Sequence, residues 1–203
     1  MGEERFQLIL VRHGLTDWNE EGKLIGRSGV PLNERGGMQA AAAAEALKSF
    51  PVRAVISSPE RRTLETAGPI ASEQGLEVEI DADFDEVWLT EPWLGKTVPE
   101  LQKDPEFARS RSDPGYRSPC IESIESVRDR VVAGVERLRK ERAGETLVVV
   151  SHGDPLRAIV AHYLGMPIAS LRRLLIDNGS VSILRFNPLG PQLTLLNWKP
   201  TLA

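Results

Sequence analysis

Short apolar runs rich in branched side chains recur along the chain, at residues 6–11 (FQLILV), 52–57 (VRAVIS), 146–151 (TLVVVS) and 180–186 (SVSILRF). Runs of this length without polar alternation read as strands covered on both faces. Residues 76–80 (LEVEI) alternate instead, the pattern of an edge or half-exposed strand. Between these runs the hydrophobic period becomes helical. Residues 37–50 are alanine-rich, with high intrinsic helix propensity. In 122–142, Ile124, Val127, Val131, Val135 and Leu138 form one apolar stripe of a surface helix. A further helix is predicted with Asp154 as its cap and Pro155 in its first turn, carrying Leu156, Ile159, Val160, Tyr163 and Leu164 as its stripe. Strands alternating with helices predict a three-layer α/β/α sandwich around a mostly parallel central sheet.

One segment interrupts this pattern. Residues 88–120 hold Pro92, Gly95, Pro99, Pro105, Pro114 and Gly115 before Pro119 and show little periodicity. They read as an irregular insertion with one short helix near 98–109, of the kind that covers a site at the carboxyl ends of strands. No period of 20–50 residues recurs, which argues against solenoids and propellers. A length of 203 residues fits one domain over 1–203.

Composition narrows the class of function. Hydrophobic residues make up 41% and charged residues 27%, which excludes a disordered chain. With 25 basic and 29 acidic side chains the net charge is −4, so the chain lacks the positive field that holds a nucleic-acid backbone. No apolar run approaches the roughly 20 residues that span a bilayer. Two acids precede the first apolar run, the wrong sign for a secretory leader, and Met1-Gly2 is followed by Phe6 where a myristoylation signal wants Ser or Thr. A soluble, cytoplasmic protein is expected. The lone Cys120 excludes an intrachain disulfide and a cysteine-built metal site, and reads as a packed small residue. The arginines and lysine of 128–142 are matched by Glu122, Glu125, Asp129, Glu136 and Glu141, which makes a balanced solvent face.

Two of the three histidines share a local pattern. Arg12-His13-Gly14 follows the first strand and Ser151-His152-Gly153 follows the strand at 146–151. Each histidine thus stands at the carboxyl end of a buried strand, where open α/β sheets bind ligands, beside a glycine that lets the backbone turn. Either one alone reads as a capped strand end; two matching placements, one touching an arginine, point to a shared anion site. Metal-ligand spacing and nucleotide-binding loops are absent. A zinc site assembled in space from the two histidines and carboxylates is the alternative, and Arg12 beside His13 would repel its cation. His162 falls off its helix's apolar stripe and reads as a surface residue.

LILVRHGLTDWN (8–19) resembles the opening motif of the histidine phosphatase superfamily, whose fold is phosphoglycerate-mutase-like. GVPLNERGGMQA (29–40), SSPERRTLETA (57–67), VVVSHGDPLRAIVAHYLG (148–165) and NGSVSILRF (178–186) are similar to further motifs of that family, in the same order. The resemblance implies His13 as a nucleophile that becomes phosphohistidine, with Arg12, Arg62 and His152 around the phosphoryl group. Asn19, Thr16 and Gly153 would be further substrate contacts, and no metal or cofactor is implied. Arginine forks suit the charge on a transferring phosphoryl group. Arg61, beside Arg62, reads as an exposed first-turn helix residue.

An alkyl phosphate has a poor leaving group and needs a proton donor. DADFDEVW (81–88) offers Asp81, Asp83, Asp85 and Glu86, among which composition does not choose. The resemblance selects Glu86, with Asp85 next. Two departures from the family pattern lie nearby: Trp93 comes one residue late after Thr90, and Cys120 and Ile121 replace two glycines. Both put substrate identity in doubt rather than chemistry. In the insertion, Arg109, Arg111, Tyr116 and Arg117 are candidates for holding the rest of a phosphorylated substrate. The leading reading is a metal-independent phosphatase acting on small phosphorylated metabolites, as a monomer or a homodimer paired through a strand such as 76–80. The alternatives are a phosphoglycerate mutase using the same pocket, and a binding module without turnover. The ending after 186 reads as a turn and one final strand, too little for a mutase's lid.

Overall fold

The branched runs pair into one six-stranded sheet in the computed structural model, which describes residues 6–202; the Met1-Gly2 start and its two acids lie outside them. The chain runs β1 (Phe6–Arg12), α1 (Asp17–Glu20), α2 (Glu34–Leu47), β2 (Val52–Ser57), α3 (Arg61–Gln74) and β3 (Val78–Ile80). It continues with α4 (Val98–Leu101), α5 (Pro105–Ser112), α6 (Ile124–Glu141), β4 (Thr146–Ser151), α7 (Gly153–Tyr163), β5 (Val181–Asn187) and β6 (Gly190–Trp198). The strand order is β3-β2-β4-β1-β5-β6. β1 to β4 are mutually parallel where they pair, and β5 runs antiparallel to both β1 and β6. LEVEI supplies an edge strand, as its alternation predicts.

Strand periodicity of two divides the core into two layers. Leu8, Leu10, Ile56 and Val149 face α6 and α7, whose Val127, Val131, Val135, Leu156 and Ile159 complete that cluster. Ile9, Val11, Val55 and Val150 face α2 and α3, meeting Ala43, Leu47, Ala67 and Ile70. Helices therefore cover both faces of a mostly parallel sheet, the predicted sandwich. No helix of the described residues is long and apolar enough to cross a membrane.

Several boundaries differ from expectation for local reasons. The helix expected at 37–50 runs from Glu34 to Leu47, because the Asn33 side chain caps it by accepting the Gly36 N–H at 2.9 Å. The helix expected near 98–109 is two short ones. Asp104 accepts the N–H groups of Glu106 and Phe107 and so starts a new helix, with Pro105 in its first turn. The helix expected to be capped by Asp154 begins at Gly153 with His152 in the capping position, and the His152 ring makes no cap bond. Asp154 instead pairs with Arg157 one turn on.

Gly36 and Gly37 are adjacent in α2 but face opposite demands. A Cβ at Gly36 would lie 2.1 Å from the Leu15 carbonyl oxygen, whereas one at Gly37 would meet nothing within 4 Å. Gly36→Ala is therefore expected to destabilise the fold by about 1–3 kcal/mol through overpacking. Gly37→Ala should stabilise it by about 0.4–1 kcal/mol through lost unfolded-state entropy. Urea unfolding of the two variants checks the pair, and equal effects would contradict this account of the close approach.

Candidate active site

β1 and β4 pair in parallel with Arg12 opposite Ser151, so the next residues, His13 and His152, emerge side by side. Their buried rings lie 5.2 Å apart, tilted by 60°. His13 Nδ1 is 2.7 Å from the Gly14 carbonyl oxygen. A carbonyl only accepts, so Nδ1 carries the proton and Nε2 keeps its lone pair. His152 is held the other way round. Its Nδ1 lies 2.9 Å from Arg62 Nη2, and a guanidinium only donates. Nε2 then carries the proton and donates to Ser58 Oγ at 2.8 Å, while Ser58 donates to Asp85 Oδ1 at 3.0 Å.

Two arginines bound the pair. Arg62, in the first turn of α3, is fully buried. It donates to the Gly26 carbonyl at 2.8 Å and pairs with Glu60 at 3.0 Å. Arg12 ends β1 and donates to the Ile176 carbonyl at 2.7 Å. In both, Nε is buried and has no partner among the described residues. Buried donors without partners are rare, and two beside one imidazole form a donor set suited to an anion. Burial and the charges of Arg62 and Arg12 hold both imidazoles well below the ordinary histidine range, so each is neutral near pH 7. Burial and neighbouring Arg157 push Arg12 itself down to about 10.

The four clustered carboxylates are sorted by their partners. Asp81 and Asp83 both reach Arg137 on α6. Asp85 lies behind the site, accepting from Ser58 and pairing with Arg27 at 3.1 Å. Glu86 alone of the four lines the cavity in front of His13. Its Oε2 is 3.6 Å from His152 Nδ1 and 3.9 Å from Arg62 Nη2. Burial raises its carboxyl to about 6, outweighing the opposing pull of Arg62. A carboxyl in that range can carry a proton at neutral pH and give it up.

The cavity has a volume of about 360 Å³ and is lined by Arg12, His13, Asn19, Glu86 and Gly153 among others. Arg62 and His152 lie against these residues, beneath the lining. Thr16 does not reach the cavity. It is the buried N-cap of α1, and its hydroxyl donates to Asn19 Oδ1 at 3.0 Å, fixing Asn19. The glycines after the histidines are not required for a left-handed turn, since neither Gly14 nor Gly153 has positive φ. Gly14 is required for room, since a Cβ there would lie 2.4 Å from the Gly36 carbonyl oxygen; one at Gly153 would lie 3.1 Å from the tip of the Arg157 side chain, a tight contact that a small shift relieves.

Several contributors were not singled out as site residues by the sequence, although Ser58, Arg157 and Asn178 lie within the family-like motifs and Asp85 stands next to Glu86. Ser58 orients His152 across 94 residues of separation, and Asp85 holds Ser58 from 27 residues away. Asn178 donates to the His13 carbonyl at 3.2 Å and to Asn19 Oδ1 at 3.1 Å. Arg157 and Arg172 also line the cavity. Of the insertion's four candidates only Arg111 lines it; Arg109 stacks on Tyr116 at 4.1 Å, and Arg117 faces a separate surface groove. Arg61 is exposed and pairs with Glu65, and His162 is exposed, both as expected. The insertion is anchored by its own small core, in which buried Trp93 meets Phe107 edge-on at 5.3 Å and donates to Asp104. Cys120 packs against that core.

His13, Glu86 and His152 present ligand atoms within 4.8 Å of one another, a candidate cation site. The donor set does not suit a cation. Both His152 nitrogens are engaged, Nδ1 accepting from Arg62 and Nε2 donating to Ser58, and two guanidinium charges press on the same three residues.

Comparison with known proteins agrees with this chemistry. The family model described as "Histidine phosphatase superfamily (branch 1)" matches residues 8–199. The chain is similar to Phosphoserine phosphatase 1 of Hydrogenobacter thermophilus, at 35% identity over 188 residues, 88% of this chain and 85% of that one. It is equally similar to the "Probable phosphoglycerate mutase GpmB" of Shigella boydii serotype 18, at 36% identity over 180 residues, 87% of this chain and 83% of that one. Among solved structures, a phosphoserine phosphatase mutant from Entamoeba histolytica in complex with phosphoserine matches with a TM-score of 0.86 at 29% identity, covering 95% of this chain and 96% of that one.

The hydrogen bonds predict opposite tautomers for the two neutral histidines, Nδ1–H in His13 and Nε2–H in His152. Imidazole ¹⁵N spectra at pH 7 should show one of each, and two identical tautomers would contradict the network. Ser58→Ala strands the His152 Nε2–H and should cost about 1–3 kcal/mol in urea unfolding.

Proposed function

The chain belongs to the histidine phosphatase superfamily, and on that premise we propose that it is a metal-independent phosphomonoesterase acting on small phosphorylated metabolites through a phosphohistidine. One observation carries this reading. His13 is neutral, with Nδ1 tied to the Gly14 carbonyl, between two buried guanidiniums that each keep an unpaired Nε. Such a site favours attack by Nε2 on a phosphorus whose oxygens are held by Arg12 and Arg62.

The steps balance around Glu86. His13 Nε2 forms the P–N bond as the ester P–O bond breaks, and protonated Glu86 gives its proton to the departing alkoxide. Glu86, now a carboxylate, takes a proton from the water that attacks the phosphohistidine. The P–N bond breaks and phosphate leaves. Asn19, held by Thr16, would bind the phosphoryl oxygens, with Gly153 giving them backbone access, while His152, both of whose nitrogens are taken up by Arg62 and Ser58, would act by holding the Arg62 guanidinium in place. The mutase reading keeps one support, the similarity to the Shigella boydii protein. Isomerisation of 3-phosphoglycerate, with a trace of the 2,3-bisphosphate, faster than phosphate release would favour it.

His13→Ala is expected to abolish both phosphate release and an acid-labile phosphoenzyme, while chelators leave the wild type active. Label persisting in the variant would place the nucleophile elsewhere. Glu86 is protonated below about 6, so its donor role is present at low pH and lost as pH rises through that value. For an alkyl phosphate, kcat/KM should fall above that pH in the wild type. In Glu86→Gln the rate should drop about 100- to 10,000-fold and this limb should vanish. A chromogenic aryl ester, whose leaving group needs no proton, should suffer far less.

A further inference from the structure

Glu86 stands on an irregular stretch, between the 3-10 turn at Ala82–Phe84 and the bridge of Leu89 to Ile121, with no strand or helix to fix its main chain. A carboxyl that hands a proton to a leaving oxygen must be held to within about half an ångström. The hold comes from α6. Arg130, which the sequence places among balanced charges on a solvent face, is only 18% exposed and turns inward. Its Nη1 donates to the Asp83 carbonyl at 2.9 Å and its Nη2 to the Glu86 carbonyl at 3.0 Å, across 47 and 44 residues of separation. One planar guanidinium thus spans residues 83–86.

Glu122 sets the direction of that guanidinium. It accepts from Arg130 Nε at 2.9 Å and from Nη2 at 3.0 Å, a two-point contact that fixes the fork. The same carboxylate accepts the Trp88 N–H at 3.2 Å, and the Glu122 N–H donates to the Trp88 carbonyl at 2.7 Å. Arg27 gives the Glu86 carbonyl a second donor at 3.0 Å and pairs with Asp85 at 3.1 Å. Both lone pairs of one main-chain oxygen are therefore taken by guanidiniums from different parts of the chain. Gly134, one turn beyond Arg130, lets α6 and the 3-10 turn come this close. A Cβ there would lie 2.9 Å from the Asp83 Cβ and 3.0 Å from the Phe84 ring.

Water alone can satisfy a carbonyl near the surface, so hydrogen-bond accounting does not call for two charged donors on this one. Their convergence fixes the peptide plane after Glu86 in both place and orientation. The carboxyl then has little freedom: Oε1 accepts the Val87 N–H at 2.9 Å, and Oε2 stands 3.6 Å from His152 Nδ1. Neither Arg130 nor Glu122 lines the cavity in front of His13, so neither meets the leaving oxygen itself. We propose that Arg130, braced by Glu122, is a positioning residue for the proton donor, holding the Glu86 main chain so that its carboxyl faces the leaving oxygen, and that it serves turnover only through Glu86. This rests on the reading of Glu86 as the acid and base of a phosphatase.

The test compares an alkyl with an aryl ester in a double-mutant cycle. Arg130→Gln should lower kcat/KM for ethyl phosphate about 10- to 100-fold, mostly in kcat, and for para-nitrophenyl phosphate by less than about threefold. In the Glu86→Gln background the same substitution should cost ethyl phosphate hydrolysis almost nothing, because the group it positions is gone. A guanidinium that only stabilises the fold lowers both esters alike, and its effect persists beside Glu86→Gln; either result overturns the proposal. Glu122→Gln keeps the shape and removes the two-point ion pair. It should repeat the pattern more weakly, and it serves if Arg130→Gln fails to fold. Release of phosphate from neither ester by the wild type defeats the phosphatase reading, and the titration of the Glu86 carboxyl, followed by ¹³C NMR, then decides the positioning by itself. Burial sets that titration at about 6 in the wild type. In Arg130→Gln a carboxyl released toward water should titrate lower, and an unmoved titration overturns the proposal.

Discussion

The parallel pairing of β1 with β4 is the constraint on which the site depends. Its register sets Arg12 opposite Ser151 and so brings His13 and His152 out together, though 139 residues separate them in sequence. Connections leave these two strands in opposite directions. β1 leads through α2 to β2 on the far side of β4, and β4 leads through α7 to β5 on the far side of β1. The ends of two such strands leave a crevice that no connection crosses, where open α/β sheets place their ligands. Both strands are buried on both faces, and their alternate residues are committed to different helix pairs. A slip of one residue would exchange those faces, so core packing and site geometry are enforced together.

Electrostatics then selects what the crevice can hold. Burying Arg62 completely is costly, and the cost is met by the Gly26 carbonyl and Glu60 rather than by the histidine it touches. Burial first, and the same charge after it, keep both imidazoles neutral, which leaves His13 Nε2 with its lone pair and denies His152 a cation's role. Glu86 shows the opposite balance. Arg62 pulls its proton away, yet burial prevails and leaves a carboxyl that can both give and take one near neutrality. His13 and Glu86 are therefore tuned by one shared burial acting on groups of opposite charge type.

How much of this was legible follows from the range of each interaction. The buried strands, the two histidines that end them and the helical stripes are written in contiguous residues, and the motifs around Arg12, His13, Arg62 and His152 supported a family resemblance over most of the chain. Asp154 before Pro155 is a strong local cap signal, yet α7 starts earlier because His152 occupies the capping place with its ring turned into the site. Glu86 could not be told from its neighbours by composition, since what separates it is where Arg137 and Arg27 lie, 56 and 58 residues away from Asp81 and Asp85. The basic face of α6 was likewise balanced, but partly by Asp81, Asp83 and Glu79 rather than by acids of its own helix.

The same division of range separates chemistry from selectivity. Arg12, His13, His152 and Arg62 sit on strand ends and a first helical turn, each locked by backbone carbonyls or a hydroxyl. The mouth is built from segments that meet only in the folded chain: Leu89 and Ile121 bridge the two ends of the insertion, and Trp93, Leu101 and Phe107 give it a core of its own. Cys120 packs against that small core alone, whereas Ile121 touches both it and the sheet layer under α6 and α7, so Cys120 can differ from the family pattern with less effect on the strands that carry His13. In a net acidic protein, two buried guanidiniums and two paired histidines are thus fixed at the strand ends, while the mouth in front of them is held in part by a core of its own.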